Sequence, residues 1–324
     1  MKVAITGANG LVGVNLALQL INQGHQVKGL YYHSKNGIES LNMLTVKGDI
    51  NDYKAMESFV KDTDVIFHCA AAITISNTPY KELYRTNVEG TKNVFNAALK
   101  AGTKTFVYFS SIHALEQKKG VGCDEHCPLA LHSGFLYEKT KALAQQWLQQ
   151  QKDKGIKIVI INPTAIIGPN DYRPSLIGEF ILNTARKKIP VLIKGGYNWV
   201  DVRDVVNTAI NAVTRGKNGD HYLVGGQWES LINMTKMIEK TIHEKIPVRV
   251  VPLWLAWAGL PFLRFWSFIH GKTPLYTSDS LKILNSSNKK INYQKAITEL
   301  GHQPRPLENT LKDTINWFKQ NNYL

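Results

Sequence analysis

Apolar positions change rhythm repeatedly along this chain. Residues 2 to 6 form a short, largely apolar run, and Asn15-Leu-Ala-Leu-Gln-Leu-Ile21 then repeats apolar residues at helical spacing. Strand-like runs recur at 26–31, just before Gly48, at 64–72, at 105–109 and before Asn162-Pro163. Helical runs separate them, including one that opens at Tyr84 and reaches about Lys100. Short strands alternating with helices predict an α/β fold built on a parallel, doubly wound (Rossmann) sheet. Sites in such folds lie beyond the carboxyl ends of the strands, so the residues that follow each run carry the candidate chemistry.

The first such turn is Gly7-Ala-Asn9-Gly10-Leu11-Val12-Gly13. Gly7 permits a tight turn, Gly10 lets backbone approach a pyrophosphate, and Gly13 lets the helix pack close to the sheet. The free N–H groups of the helix N-terminus then face the phosphates. The second strand ends at Tyr32-His33-Ser34-Lys35, and no acidic residue precedes Glu39. A carboxylate at this strand end usually holds the adenosine ribose of NAD. Its absence predicts NADP, with NAD the less favoured cofactor and His33, Ser34 and Lys35 as 2′-phosphate contacts. Asp49-Ile50 follows the third strand, with Asp49 either accepting from the adenine amino group or capping a helix. Cys69-Ala70-Ala71 ends the fourth strand in small residues that allow backbone to lie against a nicotinamide ribose.

The fifth strand ends in Ser110-Ser111, and some two dozen residues later comes Tyr137-Glu-Lys-Thr-Lys141 within a helical run. Residues four apart on a helix share a face. A cation within ~4–6 Å favours the phenolate. Lowering a phenol by about 2–3 pKa units corresponds to roughly 3–4 kcal/mol and makes it a usable proton donor or acceptor near neutrality. The plain alternative is a surface Tyr and Lys on an amphipathic helix.

Composition narrows the picture only in part. The 324 residues, 44% of them hydrophobic, suffice for one large or two closely joined domains. Met1 to Thr6 shows no charged and apolar leader pattern, and three cysteines are too few for a disulfide framework. Both point to a cytoplasmic protein. The net charge of +14 is scattered and carries no recognition-helix or zinc-finger pattern, which argues against nucleic acid as a partner. Cys123-Asp-Glu-His126-Cys127 bunches its ligands too tightly for a complete tetrahedral site, so no metal is expected. The apolar stretch 251–269 contains Pro252, Pro261 and Arg264, which argues against an integral span. It reads as a helical cover over an apolar substrate pocket, with shallow contact on a membrane surface as the minority reading.

The ordered set Thr6-Gly7-x-x-Gly10-x-x-Gly13, Asp49, His68-x-Ala-Ala, Asn87-Val-x-Gly-Thr, Ser110-Ser111 and Tyr137-x-x-x-Lys141 resembles an extended short-chain dehydrogenase/reductase. The resemblance covers nearly the whole chain, because the tail Lys295 to Leu307 is also typical of that group. It implies a dinucleotide-binding domain of residues 1–165 and about 193–224, and a smaller, mostly helical C-terminal substrate-binding domain of about 166–192 and 225–324. It implies Ser111, Tyr137 and Lys141 as catalytic residues, cofactor contacts that also include Asn87, Ser110, Pro163, Thr164 and Ile166, and a homodimer through helices near 88–100 and 137–151. Ile112-His113-Ala114 stands where dehydratases carry an Asp-Glu pair, and Ala165 stands where sugar-nucleotide epimerases carry Asn. Asn162-Pro163 is similar to the Arg-Pro of the branch that holds dihydroflavonol reductase and 3β-hydroxysteroid dehydrogenase. The expected reaction is hydride transfer between nicotinamide and a carbonyl or secondary alcohol of a small apolar substrate. An NAD-dependent sugar-nucleotide epimerase is the alternative.

Overall fold

The computed structural model describes residues 1–73, 79–118, 120–252, 254, 255, 257, 258, 284 and 288–324. Its strands are β1 (Lys2–Thr6), β2 (Gln26–Tyr31), β3 (Leu44–Lys47), β4 (Val65–His68), β5 (Thr105–Phe109), β6 (Lys157–Pro163), β7 (Ala165–Ile167), β8 (Val191–Ile193), β9 (Gly196–Asp201), β10 (His221–Val224), β11 (Gln227–Ser230) and β12 (Arg249–Val251). Its longer helices are α1 (Leu11–Asn22), α2 (Tyr53–Val60), α3 (Tyr80–Tyr84), α4 (Gly90–Lys100), α5 (Leu136–Gln149), α6 (Leu176–Ala185), α7 (Val202–Arg215), α8 (Leu231–Ile242) and α9 (Leu307–Gln320).

A seven-stranded sheet runs in the order β10-β6-β5-β4-β1-β2-β3 with every pair parallel. The order reverses between β1 and β4, which opens the crevice where doubly wound sheets bind their ligands. Strands covered on both faces read as continuous apolar runs rather than alternations. β5 (Thr-Phe-Val-Tyr-Phe) is buried at all five positions for that reason. Val107 and Phe109 join Val159 and Ile161 on one face, with side chains of α1 and α7. Phe106 and Tyr108 join Ile158 and Ile160 on the other, with side chains of α4 and α5. A third apolar cluster, including Ile181, Leu192, Trp199, Ile238 and Phe318, gathers α6, α8, α9 and the short strands β8 and β9.

Two carboxylates at the start of α7 divide their work. Asp201 caps the helix by accepting from the Arg203 N–H at 2.7 Å. Asp204 lies in the first turn of α7 and accepts from the Arg305 backbone N–H, Nε and Nη2 at 2.7–2.9 Å. It thereby fastens the segment before α9 to the start of α7. The apolar stretch from 251 begins with exposed Trp254 and Trp257, and its residues 259–269 lie outside the described residues. Among the described residues no helix is long and apolar enough to cross a membrane, and no group of metal-ligating side chains forms.

Removing one partner of a buried, multiply bonded ion pair strands the other charge. Asp204→Ala is therefore expected to lower unfolding free energy by about 3 kcal/mol, read as a lower urea midpoint. A change below about 1 kcal/mol, the range of exposed pairs, would show that this tether contributes little.

Candidate active site

The turn after β1 is shaped by the absence of side chains. Gly7 adopts φ +66°, and a Cβ there would meet the Ala70 backbone nitrogen at 2.8 Å. A Cβ on Gly13 would lie 2.2 Å from the Gly7 carbonyl oxygen. Gly10 differs: its Cβ would touch only that oxygen, at 3.4 Å, and its own N–H bonds the same atom at 3.1 Å. No side chain caps α1 at Gly10, so the first amides, those of Leu11 and Val12, point outward from a helix end with positive dipole character. Those features fit a dinucleotide diphosphate.

The segment after β2 is tied to this turn. Asn9 Nδ2 donates to the Ser34 carbonyl at 2.9 Å, and Asn36 N–H donates to Ser34 Oγ at 3.0 Å. Tyr32 and His33 are exposed and lie ring to ring at 4.1 Å. Lys35 stands with Nζ 5.6 Å from the centre of the Tyr31 ring. After β3, Asp49 Oδ1 accepts from the backbone and side chain of Asn51, both at 2.9 Å. The cap of α2 is Asp52 rather than Asp49. Ile50 is buried and packs where a Cβ on Gly90 would sit.

Beyond β4 the chain builds a hydrogen-bonded ladder. Ala70 N–H donates to Thr6 Oγ1 at 3.3 Å, and Thr6 Oγ1 lies 2.7 Å from His68 Nδ1. His68 Nε2 lies 2.9 Å from Thr91 Oγ1, whose proton goes to the Asn87 carbonyl at 2.7 Å. Thr91 must therefore accept from His68, which fixes the proton on Nε2 and leaves Nδ1 to accept from Thr6. Burial holds this imidazole neutral, its pKa pushed down to about 3. Cys69 is half-buried, and burial pushes its thiol above the ordinary range, which suits a packing residue.

Asn87 lies in a single π-helical turn, Arg85–Glu89, ahead of α4. Such turns are rare and gather at functional sites. Its Oδ1 accepts from Ala72 N–H at 2.8 Å, and its Nδ2 donates to the Ala72 carbonyl and to Thr140 Oγ1 at 3.0 and 3.1 Å. Both amide protons are thus given to the chain itself. Asn87 joins the end of β4 to α5, a positioning role where the resemblance suggests a cofactor contact.

Ser110 and Ser111 follow β5, and both are buried. Ser111 Oγ accepts from His113 N–H at 3.1 Å, and the Ser111 side chain acts on the Tyr137 phenol by favouring its ionised form. Burial pushes that phenol up to about 12, with the Ser111 side chain opposing and the Glu138 carboxylate reinforcing. Lys141 lies one turn further along α5, as the spacing predicts, but its 2% exposed ammonium donates to the Phe109 carbonyl at 2.6 Å and sits 4.5 Å from the centre of the Tyr108 ring. Burial pushes it down to about 7. The expectation of a phenol lowered by its neighbouring lysine is therefore not met in this arrangement. Desolvation outweighs the short sequence spacing, and the lysine is turned toward the sheet.

Pro163 ends β6 beside Val224, and Thr164 donates from Oγ1 to Asn198 Oδ1 at 2.9 Å. Ile166 is half-buried in β7. Two residues at this end of the sheet were not singled out for function by sequence: Gln145 on α5, and Asn162, noted only as a departure from Arg-Pro. Gln145 falls at i+8 from Tyr137, the one periodic signal that pointed to it. The Glu138 carboxylate binds Ser133 Oγ at 2.7 Å and His113 Nδ1 at 3.1 Å, which places His113 beside the site.

The "NAD dependent epimerase/dehydratase family" model matches residues 3–225. The chain belongs to that family. It is an NAD(P)-dependent oxidoreductase of the extended short-chain group. It is 29% identical to "Sterol demethylase protein B" of Methylococcus capsulatus, over 99% of each chain. It is 32% identical to a "Putative dihydroflavonol 4-reductase" of Synechocystis, over 99% of this chain and 95% of the relative. Among solved structures, gox2253 superposes with a TM-score of 0.85 at 29% identity, covering 100% of this chain and 99% of the other.

Above pH about 7 the folded chain holds Lys141 neutral, whereas the unfolded chain keeps that proton to its ordinary value of 10.5. The unfolded state then binds more protons, so this residue makes stability rise with pH between those values. Lys141→Met is expected to raise the unfolding free energy of the cofactor-free protein at pH 7, by at most about 4–5 kcal/mol at ~1.36 kcal/mol per unit, read as a higher urea midpoint, and to flatten that rise. An unchanged pH–stability curve in the variant would show that the amine keeps its proton when folded.

Proposed function

We propose that the protein is an NADP(H)-dependent reductase or dehydrogenase that moves a hydride between nicotinamide and a carbonyl or secondary alcohol of a small apolar substrate. The observation that carries this reading is the convergence of the buried Ser111 side chain and the Tyr137 phenol, whose pKa Ser111 lowers, beyond the carboxyl end of β5. The nicotinamide supplies the hydride. Tyr137, held protonated up to about 12, protonates the developing alkoxide in the reductive direction. Ser111 donates a second hydrogen bond to the same oxygen, a role often worth about 2.7–4 kcal/mol. Lys141, one turn away on α5, would hold the nicotinamide ribose and supply positive charge near the phenol when protonated.

Support for NADP comes from the segment after β2, where Asn9 and Asn36 hold Ser34 in place between exposed His33 and Lys35. The glycine turn and the small residues Ala70 and Ala71 would hold the diphosphate and the nicotinamide ribose. The apolar substrate class draws on the sterol and dihydroflavonol named for the two relatives. We read the protein as a cytoplasmic homodimer in which α4 and α5 meet their counterparts.

Two measurements decide the matter. Absorbance at the nicotinamide band should change when NADP+ or NADPH meets a panel of 3β-hydroxysteroids, dihydroflavonols and apolar ketones, with NADPH bound more tightly than NADH. Tightly retained NAD released on denaturation, with turnover of a UDP-sugar, would replace this reading with epimerisation. Tyr137→Phe should cut turnover at least about 100-fold, the lower range for a positioned general acid, while NADPH affinity changes less than about twofold. Native turnover in that variant would remove Tyr137 from the chemistry.

A further inference from the structure

The face of α5 that carries Tyr137 and Lys141 continues to Gln145, whose side chain is fully buried. Opposite it, at the end of β6, stands Asn162, also fully buried. Asn162 Nδ2 donates one proton to the Ser111 carbonyl at 2.7 Å and the other to Gln145 Oε1 at 2.8 Å. One amide thus joins α5, β6 and the backbone of Ser111. The flanking positions on the same layer are apolar, namely Ile158 and Ile160 on β6 and Ala144 and Leu148 on α5.

This link is not what packing alone selects. Asn162 Oδ1, Gln145 Nε2 and the neighbouring Ser110 Oγ are buried without a hydrogen-bond partner among the described residues. Buried polar atoms left unpaired are destabilising, and apolar side chains of similar size would fill this layer without that cost. Local rules broken in this way collect at functional sites. Ser111 has extended backbone, φ −161° and ψ 155°, and begins a single tight helical turn, Ile112–Ala114. Its carbonyl is held by Asn162 while its Oγ accepts from His113 N–H. Carbonyl and hydroxyl are thus both held, beside the Tyr137 phenol whose pKa the Ser111 side chain lowers.

We propose that Asn162 and Gln145 form a buried amide clamp that sets the orientation of Ser111 against Tyr137. They are positioning residues that act through the serine. The proposal rests on the reading of Ser111 and Tyr137 as the proton-handling pair, and its test separates the two.

Asn162→Leu removes both bonds at nearly constant volume, and misplacing a reacting group by about an ångström costs up to roughly 100-fold. The expected result, with NADP(H) and the fastest member of the alcohol and ketone panel, is kcat lower by about 10- to 100-fold and NADPH affinity within about twofold. In a Ser111→Ala background the same substitution should lower kcat less than about twofold, because residues that act through one group are not additive. Gln145→Met, which keeps the Asn162 bond to Ser111, should show a smaller loss with the same dependence on Ser111. It carries the cycle should Asn162→Leu not fold. Equal losses with and without the Ser111 hydroxyl would mean a merely structural role and overturn the clamp. A substrate-free arm uses amide hydrogen exchange at His113, which should quicken in Asn162→Leu; unchanged exchange also overturns it. Native turnover by Tyr137→Phe sinks the catalytic reading instead, and the exchange result then judges the clamp alone.

Discussion

Everything in this molecule depends on how closely backbone can approach backbone where β1 meets α1 and β4. Gly7, in the left-handed region, lies against the Ala70 amide, and Gly13 lies against the Gly7 carbonyl. A methyl group at Gly7 or Gly13 would overlap atoms of the main chain itself, which cannot swing aside as a side-chain tip can. That proximity brings the open end of α1 next to the ends of β1 and β4, at the point where the strand order reverses. The glycine turn and the small-residue end of β4 are therefore one construction. Ala70 belongs to both, through its contact with Gly7 and its bond to Thr6 Oγ1.

Polar atoms beneath that construction are paired by a consistent rule on one side and inconsistently on the other. Between β1, β4 and α4, the Thr6–His68–Thr91–Asn87 ladder has every proton assigned, and a neutral imidazole completes it. Such a network is rigid because any tautomer change would break two bonds at once. Between β5, β6 and α5, Asn162, Gln145 and Ser110 keep unpaired atoms, and Lys141 is held near neutrality by its surroundings. The first layer is fully satisfied; the second lies under Ser111 and Tyr137 and is less well satisfied. That contrast is what a stability–function compromise looks like at the level of single hydrogen bonds.

Much of this was legible in the sequence. The glycine turn, the parallel sheet and the family followed from the order of motifs, because strand period, turn residues and helix period change at the same places. Tyr137 and Lys141 do share a face of α5, as their spacing requires. What spacing could not convey was orientation in depth: Lys141 points at the Phe109 carbonyl, so proximity along the helix did not become charge beside the phenol. Asp204 is a second case. An acidic residue near a helix start is equally a cap or a tether, and only the distant Arg305, 101 positions along the chain, decides between them. Asn162 was noticed only as a departure from Arg-Pro, since a single amide at a strand end has no periodic signal.

The electrostatic state of the site follows from the same depth. A phenol raised to about 12 and an amine lowered to about 7 are both uncharged forms favoured by desolvation, so the unliganded site is poised neutral. A neutral phenol is the correct state for donating a proton to an alkoxide. The reverse direction needs the opposite state, and the groups that can supply it are close: the amine that now bonds the Phe109 carbonyl, and the Ser111 hydroxyl, which already favours the phenolate. On the proposed reading, directionality rests on the protonation of Lys141, and geometry of the serine on what holds its backbone. The two controls come from the same helix face, one turn apart, at Lys141 and Gln145.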